Sequence, residues 1–430
     1  MRKIKVGLIG FGTVGQGMVR VLRETSDVLA SKLRFGISLA AIADLDIETD
    51  RGIPLEGVRL TTDAKEVISD PKIDLVVELI GGLEPARSYI LEALERGKHV
   101  VTANKALLAE HGSEIFSRAS QKGLCVAFEA AVAGGIPIVR ALRDGLVAER
   151  LRSIFGIING TANYILSEMT DKGSKFSDVL RLAQKKGYAE ADPSLDVEGL
   201  DSAHKLVILI LLGFGTEVKL SQIFVEGISR IAPVDIQFAK ELGYRIKLLA
   251  IAKQEGGLLE ARVHPTMIPA NSLLATVSGI HNAIFIKGEA TGSTMFYGQG
   301  AGMMPTGCAV VADVVEVASM INSDRPLTLR PCQRDLSLRN MAETVNHYYL
   351  RFSAVDRPGV LSKIAGVLGD HDISIASVIQ KGRQVGGAVP VVMMTHEAKE
   401  KNVRAALKLI DQLPVVRGDT LLIRVEENLD

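Results

Sequence analysis

Apolar and polar positions follow two rhythms along this chain, and the first third alternates between them. Residues 4–9 are a short apolar run that ends in glycines, the mark of a buried strand. Val14, Met18, Val21 and Leu22 then recur at helical spacing across 13–23. A second apolar strand, 38–43, stops at Asp44, and a third, 73–80, is closed by Gly81 and Gly82. The helix read over 83–96 ends at Gly97, a natural left-handed cap. Residues 99–102 and 124–129 read as further strands. Strands alternating with helices of this length predict an α/β fold with a parallel, doubly wound sheet.

Past about residue 135 the texture changes. A strand over 153–159 precedes helices over 162–172 and 176–186, the second ended by Gly187. An acidic loop from Glu190 to Asp196 leads into a helix over 199–212 whose last seven residues are apolar on every side, so it must be largely buried. Strands near 258–263 and 283–288 suggest a mixed sheet with helices on it. Glycines cluster again over 297–302, ahead of an apolar helix over 306–320 able to pack back on the first domain. The polar stretch 322–341 reads as a linker. After it come strand 348–355, helix 360–368, strands 373–380 and 388–395, helix 399–410 and strand 420–425, the ferredoxin-like βαββαβ order.

Composition narrows the class. At 430 residues the chain is too long for one ordinary core. Lys plus Arg and Asp plus Glu both total 50, which argues against a nucleic-acid or anionic-membrane partner. Cys125, Cys308 and Cys332 lack metal-ligand spacing and form no even set, as expected in a reducing cytoplasm. Glycines at 7, 10, 12, 15 and 17 interrupt the N-terminal apolar stretch, so no signal peptide is expected. The longest aliphatic run, 206–212, is far short of a membrane span.

Three features carry chemistry. Gly10-Phe11-Gly12-Thr13-Val14-Gly15 follows a strand and opens a helix, where backbone N–H groups can meet a pyrophosphate. Asp44 at the end of the second strand would accept ribose hydroxyls and favour NAD, whereas Arg51 could swing into the same place, so NAD and NADP both stay open. Asp201 and Lys205 share one face of the buried helix. That spacing fits a plain ion pair, or a lysine tuned as a general acid for a carbonyl oxygen. Lys105 follows a strand's carboxyl end, where ligands bind in open α/β sheets; a solvated surface lysine is the competing reading. His204 points about a quarter-turn from Lys205, and no cysteine sits in a nucleophile's setting. A thioester-forming semialdehyde dehydrogenase would need such a cysteine; a non-catalytic amino-acid sensor would not need the lysines.

The glycine turn, Thr102-Ala103-Asn104-Lys105, Gly187-Tyr188-Ala189-Glu190-Ala191-Asp192-Pro193 and Asp196-x-x-Gly199-x-Asp201-x-x-x-Lys205 together resemble the homoserine dehydrogenase family. The last eighty or so residues, through Asp356-Arg357-Pro358-Gly359-Val360-Leu361, resemble an ACT domain. The resemblance implies a nucleotide-binding domain over 1–135, completed by about 303–340, a catalytic and dimerisation domain over 136–302, and an ACT regulatory domain over 347–430. It implies reversible reduction of L-aspartate 4-semialdehyde to L-homoserine, with Lys205 as proton donor and Lys105 as a second active-site lysine. Glu190 would hold the substrate's amino end, with Asp201, Asp196, Tyr188 and Thr161 completing that pocket. Gly81 and Gly302 would join Gly10 to Gly15, Asp44 and Lys105 around NAD or NADP. A sodium ion would be held by Glu129, Val132, Gly134 and Ile136, mostly through carbonyl oxygens. Threonine is the implied effector at paired ACT domains, in a cytoplasmic homodimer or homotetramer. Family members that prefer NADP usually carry a basic residue where this chain has Asp44.

Overall fold

Val6 and Leu8 on one face of their strand, and Gly7 and Ile9 on the other, are all buried, the situation of a parallel sheet with helices on either side. The computed structural model describes residues 3–323, 334–381, 387–427 and 429. Its first sheet contains β1 (Lys3–Ile9), β2 (Gly36–Ala43), β3 (Arg59–Thr61), β4 (Leu75–Glu78), β5 (His99–Thr102) and β6 (Val126–Ala127), all paired in parallel. The order β3-β2-β1-β4-β5-β6 is the doubly wound arrangement expected, and it reverses between β1 and β4. A ligand crevice opens at that reversal. The strand expected over 124–129 is shorter than its apolar run: Glu129–Ala131 is a 3-10 turn, so Glu129 lies beyond the sheet.

Helix Met303–Ser323 returns to this domain and buries Val310, Val314 and Val317 in its core. By length and composition alone it is apolar enough to cross a membrane, yet that apolar surface is what it buries here. It crosses helix Thr13–Glu24 at two glycines. A Cβ on Gly17 would lie 2.0 Å from the Met303 carbonyl oxygen, and one on Gly307 would lie 2.4 Å from the Gly17 carbonyl carbon. Backbone meets backbone there, with no flexible side chain to yield. Gly17→Ala is therefore expected to lower stability by about 1–3 kcal/mol, read as an earlier urea midpoint; an unchanged midpoint would mean the crossing is looser than this.

The second sheet draws on β7 (Leu151–Ile157), β8 (Phe224–Val225), β9 (Tyr244–Glu255), β10 (Leu258–Pro269), β11 (His281–Gly288), β12 (Ser293–Gln299), β13 (Ser337–Leu338), β14 (Val345–Val355), β15 (Ile375–Gln380), β16 (Ala388–Thr395), β17 (Ala398–Lys399) and β18 (Leu421–Val425). Its path is β12-β11-β7-β9-β10-β18-β14-β16-β15. The last four strands, with helices Val360–Asp370 and Glu400–Ile410, form the βαββαβ unit. Of the stretch read as a linker, 324–333 lies outside the described residues. Residues 334–340 run along the second sheet: Arg334 N–H donates to the Gly215 carbonyl at 2.7 Å, and β13 pairs with β10.

β18 pairs with β10 through Thr266–Arg424 and Met267–Val425, so the C-terminal unit shares one sheet with the middle of the chain. Arg424, with no exposed surface, fixes this seam. It donates to Glu226 at 2.5 Å and to both oxygens of Glu400, at 3.0 and 2.5 Å, and its guanidinium lies 4.7 Å from the Phe224 ring. Burial pushes the Glu400 carboxyl up, but the Arg424 guanidinium outweighs it and the net displacement is downward. Two residues past Glu226, Ile228 N–H donates to the Val197 carbonyl at 2.8 Å. The seam thus reaches Val197, next to the acidic loop that precedes Lys205.

Candidate active site

Gly10 adopts φ +98, and a Cβ there would lie 2.7 Å from the Leu79 carbonyl group; one on Gly15 would lie 2.3 Å from the Gly10 oxygen. Both glycines are required by the turn itself. A Cβ on Gly12 would meet nothing within 4 Å, and this residue caps helix Thr13–Glu24 without any side-chain hydrogen bond. The open space and the uncapped N–H groups of Thr13, Val14 and Gly15 fit an incoming pyrophosphate. Phe11 is buried and donates its N–H to Asp44 at 2.5 Å.

Across the crevice, Gly81 follows β4. Glu78, fully buried, accepts from Ile80 N–H at 2.9 Å and Gly81 N–H at 3.2 Å, and from the Thr102 hydroxyl at 2.6 Å. Burial pushes its carboxyl up, and those donors hold it back. Asn104 reaches the Gly82 carbonyl at 2.6 Å while capping helix Lys105–Gln121. Glu78 and Asn104 therefore shape this wall of the crevice; Glu78 was not singled out in the sequence, and Asn104 only as part of the motif before Lys105. Gly302, at φ +120, precedes helix Met303–Ser323 beside the Gly17 crossing.

Lys105 opens its helix, the end where a cation is disfavoured by the helix dipole. Asp201 offsets this: its Oδ1 lies 3.2 Å from Lys105 Nζ. Asp201 Oδ2 accepts from Lys205 Nζ at 2.6 Å and from Asn159 Nδ2 at 2.9 Å. Lys205 also donates to the Ile158 carbonyl at 2.7 Å. The chain brings these groups together by ending β7 just before Asn159, whose Oδ1 caps helix Gly160–Lys172 by accepting from Ala162 N–H. Asn159 also donates to Asp196 at 2.7 Å, tying the acidic loop to the pair. Sequence reading placed Asn159 only as the last residue of a strand over 153–159, whereas the strand ends at Ile157 and Asn159 caps the next helix.

Burial lowers the Lys205 ammonium from the usual lysine value, against the pull of Asp201. Burial raises the Asp201 carboxyl, but Lys205 and Lys105 overwhelm that and keep it well below the usual carboxylate range. Burial lowers His204 and pushes Cys125 up to about 12. That Cys125 shift is the opposite of what a nucleophile needs.

Thr161 donates to the Tyr188 carbonyl at 2.6 Å, and the Tyr188 ring packs edge-on against Tyr164. Glu190 stands apart: it is exposed, and its carboxylate pairs with no described residue. Around the loop expected to hold sodium, both Glu129 carboxylate oxygens already accept N–H groups, from Val139 at 2.8 Å and Arg140 at 2.9 Å. Burial raises this carboxyl. The loop bends back through Gly134, at φ +36, against the Gly300 carbonyl. Of the four residues expected to hold it, Glu129 and Ile136 have carbonyls that accept N–H groups within the loop, from Val132 at 3.4 Å and Ile138 at 2.7 Å.

A glycine turn at the sheet's reversal and, in the same chain, a buried lysine held by a carboxylate are the features of a nicotinamide-dependent dehydrogenase. Residues 10–129 match the NAD-binding domain of homoserine dehydrogenase, 137–315 the homoserine dehydrogenase family and 348–415 the ACT domain. The homoserine dehydrogenases of Neisseria gonorrhoeae and Pseudomonas aeruginosa are each 45% identical, covering 99% of this chain and 99% and 100% of theirs. The crystal structure of a homoserine dehydrogenase from Thiobacillus denitrificans superposes with a TM-score of 0.94 at 46% identity, covering 100% of this chain and 99% of that one. The chain belongs to the homoserine dehydrogenase family and carries a C-terminal ACT domain.

Proposed function

We propose that this chain interconverts L-aspartate 4-semialdehyde and L-homoserine, with Lys205 as the acid that protonates the aldehyde oxygen. The observation that carries this is the shared carboxylate: Asp201 grips Lys205 with one oxygen and Lys105 with the other. An ammonium has three N–H donors. Two of those on Lys205 are taken by Asp201 and Ile158, which leaves one for a substrate oxygen. The nicotinamide supplies or accepts the hydride when bound. Asp201 stays ionised throughout, so it holds the proton on Lys205 Nζ without competing for it. Lys105, whose side chain is 40% exposed, orients cofactor and substrate from the crevice side.

The substrate's ammonium needs an anion, and Glu190 is a carboxylate not yet engaged. Its exposure supports a role in which the loop swings inward on binding, with Asp196, Tyr188 and Thr161 shaping the pocket. Gly10 to Gly15, Gly81 and Gly302 would line the cofactor's path. Sodium on the 129–136 loop would act as a structural cross-link through its carbonyls; replacing sodium by lithium should then lower the thermal midpoint.

The pH profile tests the acid. Reduction needs Lys205 protonated, so its rate should fall as pH rises through a lysine value already lowered by burial. Asp201→Asn removes the anion that opposes this lowering, so the alkaline limb of kcat/KM should move to lower pH. An unmoved limb would assign the proton elsewhere.

For the ACT domain we infer threonine as effector, bound where two such domains pair in a homodimer or homotetramer. Adding threonine should change the rate or the thermal midpoint; no change in either would sink that reading. Cytoplasmic residence is the companion reading, supported by the free thiols Cys125 and Cys308.

A further inference from the structure

The carboxyl end of β2 leads into two opposite charges, Asp44 and Arg51, where the adenosine end of a dinucleotide would lie. Asp44 is already committed: Oδ2 accepts from Phe11 N–H at 2.5 Å, Oδ1 accepts from Asp46 N–H at 2.9 Å, and Arg51 Nη2 lies 3.5 Å from Oδ1. Arg51 is held in place from three sides. Its guanidinium carbon lies 5.0 Å from the Phe11 ring centre, Nη1 donates to the Thr49 carbonyl at 3.2 Å, and Nη2 lies 3.4 Å from the exposed Asp46. Arg20, from the first helix, donates to the Arg51 carbonyl at 3.3 Å and brings a second guanidinium to the same edge. Between these groups is a cavity of about 120 Å3, walled by apolar side chains such as Phe11 and Ile42 and lined also by Asp44, Glu48, Asp50 and Arg51. The apolar walls suit a purine, with its ribose at the charged mouth.

We propose that Arg51 is the specificity-determining residue for the cofactor's ribose, binding a 2′-phosphate, while Asp44 braces the glycine turn. This rests on the dehydrogenase reading above and deepens it. An acid free to face the ribose would repel a 2′-phosphate. Here the Asp44 charge is spent on two N–H groups and a guanidinium. A guanidinium presents five donors in a planar fork, so Arg51 can turn from the exposed Asp46 to a phosphate without releasing its contact with Phe11. A 2′-hydroxyl can still reach the outer side of Asp44. The chain therefore accepts both NAD and NADP, with Arg51 carrying the affinity for the phosphorylated form. The nearby acidic residues Glu48 and Asp50 oppose the phosphate, but both are exposed and screened by salt.

The experiment is calorimetric binding of ADP-ribose and of its 2′-phosphate to the whole chain, alone and as Arg51→Met and Arg51→Lys. The wild-type chain should bind the phosphorylated probe at least as tightly as the plain one. Arg51→Met should weaken the phosphorylated probe by at least about tenfold and leave ADP-ribose within about twofold. Arg51→Lys, which keeps the charge and loses the fork, should fall between. Thermal midpoints of the variants separate binding from folding. Equal loss of both probes in Arg51→Met would reduce Arg51 to a loop brace and overturn the proposal. So would wild-type binding of ADP-ribose alone. Binding of neither probe would instead overturn the dinucleotide reading of the whole glycine turn.

Discussion

Replacing Lys205 by methionine is expected to lower kcat in both directions by about 10²–10⁴-fold, with a much smaller change in KM. The reasoning runs from the third N–H of the ammonium. Proton donation to the aldehyde oxygen happens only as the carbonyl is reduced, so its loss falls on the transition state and not on ground-state binding. Methionine keeps most of the side-chain volume in a position only 9% exposed, which limits packing loss. Asp201 keeps Lys105 and Asn159 as partners, so its carboxylate is not left bare. Stability should therefore fall less than activity. Equal losses in kcat and in folded fraction would point to a structural ion pair, the competing reading of that four-residue spacing. Steady-state rates alongside a urea titration separate the two.

The second large effect is expected at the seam. Arg424→Met leaves the buried Glu400 carboxylate with the Tyr348 hydroxyl and Arg404, each at 2.9 Å, and the partly exposed Glu226 with Arg404 at 2.9 Å. Breaking a buried charge pair by removing one partner costs about 3–5 kcal/mol, and Arg404 brings the expected loss toward the lower end of that range. The same principle gives a control: Arg424→Met combined with Glu226→Gln and Glu400→Gln removes the stranded charge and should recover much of the loss. Because Ile228 is hydrogen-bonded to Val197, next to the acidic loop, Arg424→Met should also blunt any response of the rate to threonine. A single variant as stable as wild type, by denaturant midpoint, would mean that Arg424 is hydrated and not desolvated as its zero exposure indicates.

What was legible in the sequence followed from local rules. The glycine turn, the parallel strands around it and the βαββαβ unit each announce themselves within a few residues, through period, caps and turn glycines. The Asp201–Lys205 pair was visible because four residues make one helical face. β9 was missed because it is apolar on both faces from Leu248 to Ala252, with no alternation to distinguish it from a helix. β12 was hidden by the glycines that end it. Glu78, Asn104 and Asn159 act through partners that are distant in sequence or on the backbone, and one chain offers no signal for such pairings. The same holds for the β10–β18 junction. A polar stretch before the last domain suggested separation, whereas the two units share one sheet through pairing 158 residues apart (Thr266 with Arg424).

The most direct test is the initial rate at which reduced nicotinamide appears when L-homoserine is added to the intact chain, with NAD and NADP measured side by side. The arrangement of Lys205, Asp201 and Lys105, taken with the glycine turn, predicts turnover with L-homoserine, and none with L-2-aminobutyrate, which lacks the hydroxyl to be oxidised. A folded chain that binds the cofactor yet reduces neither nicotinamide in the presence of L-homoserine would contradict it.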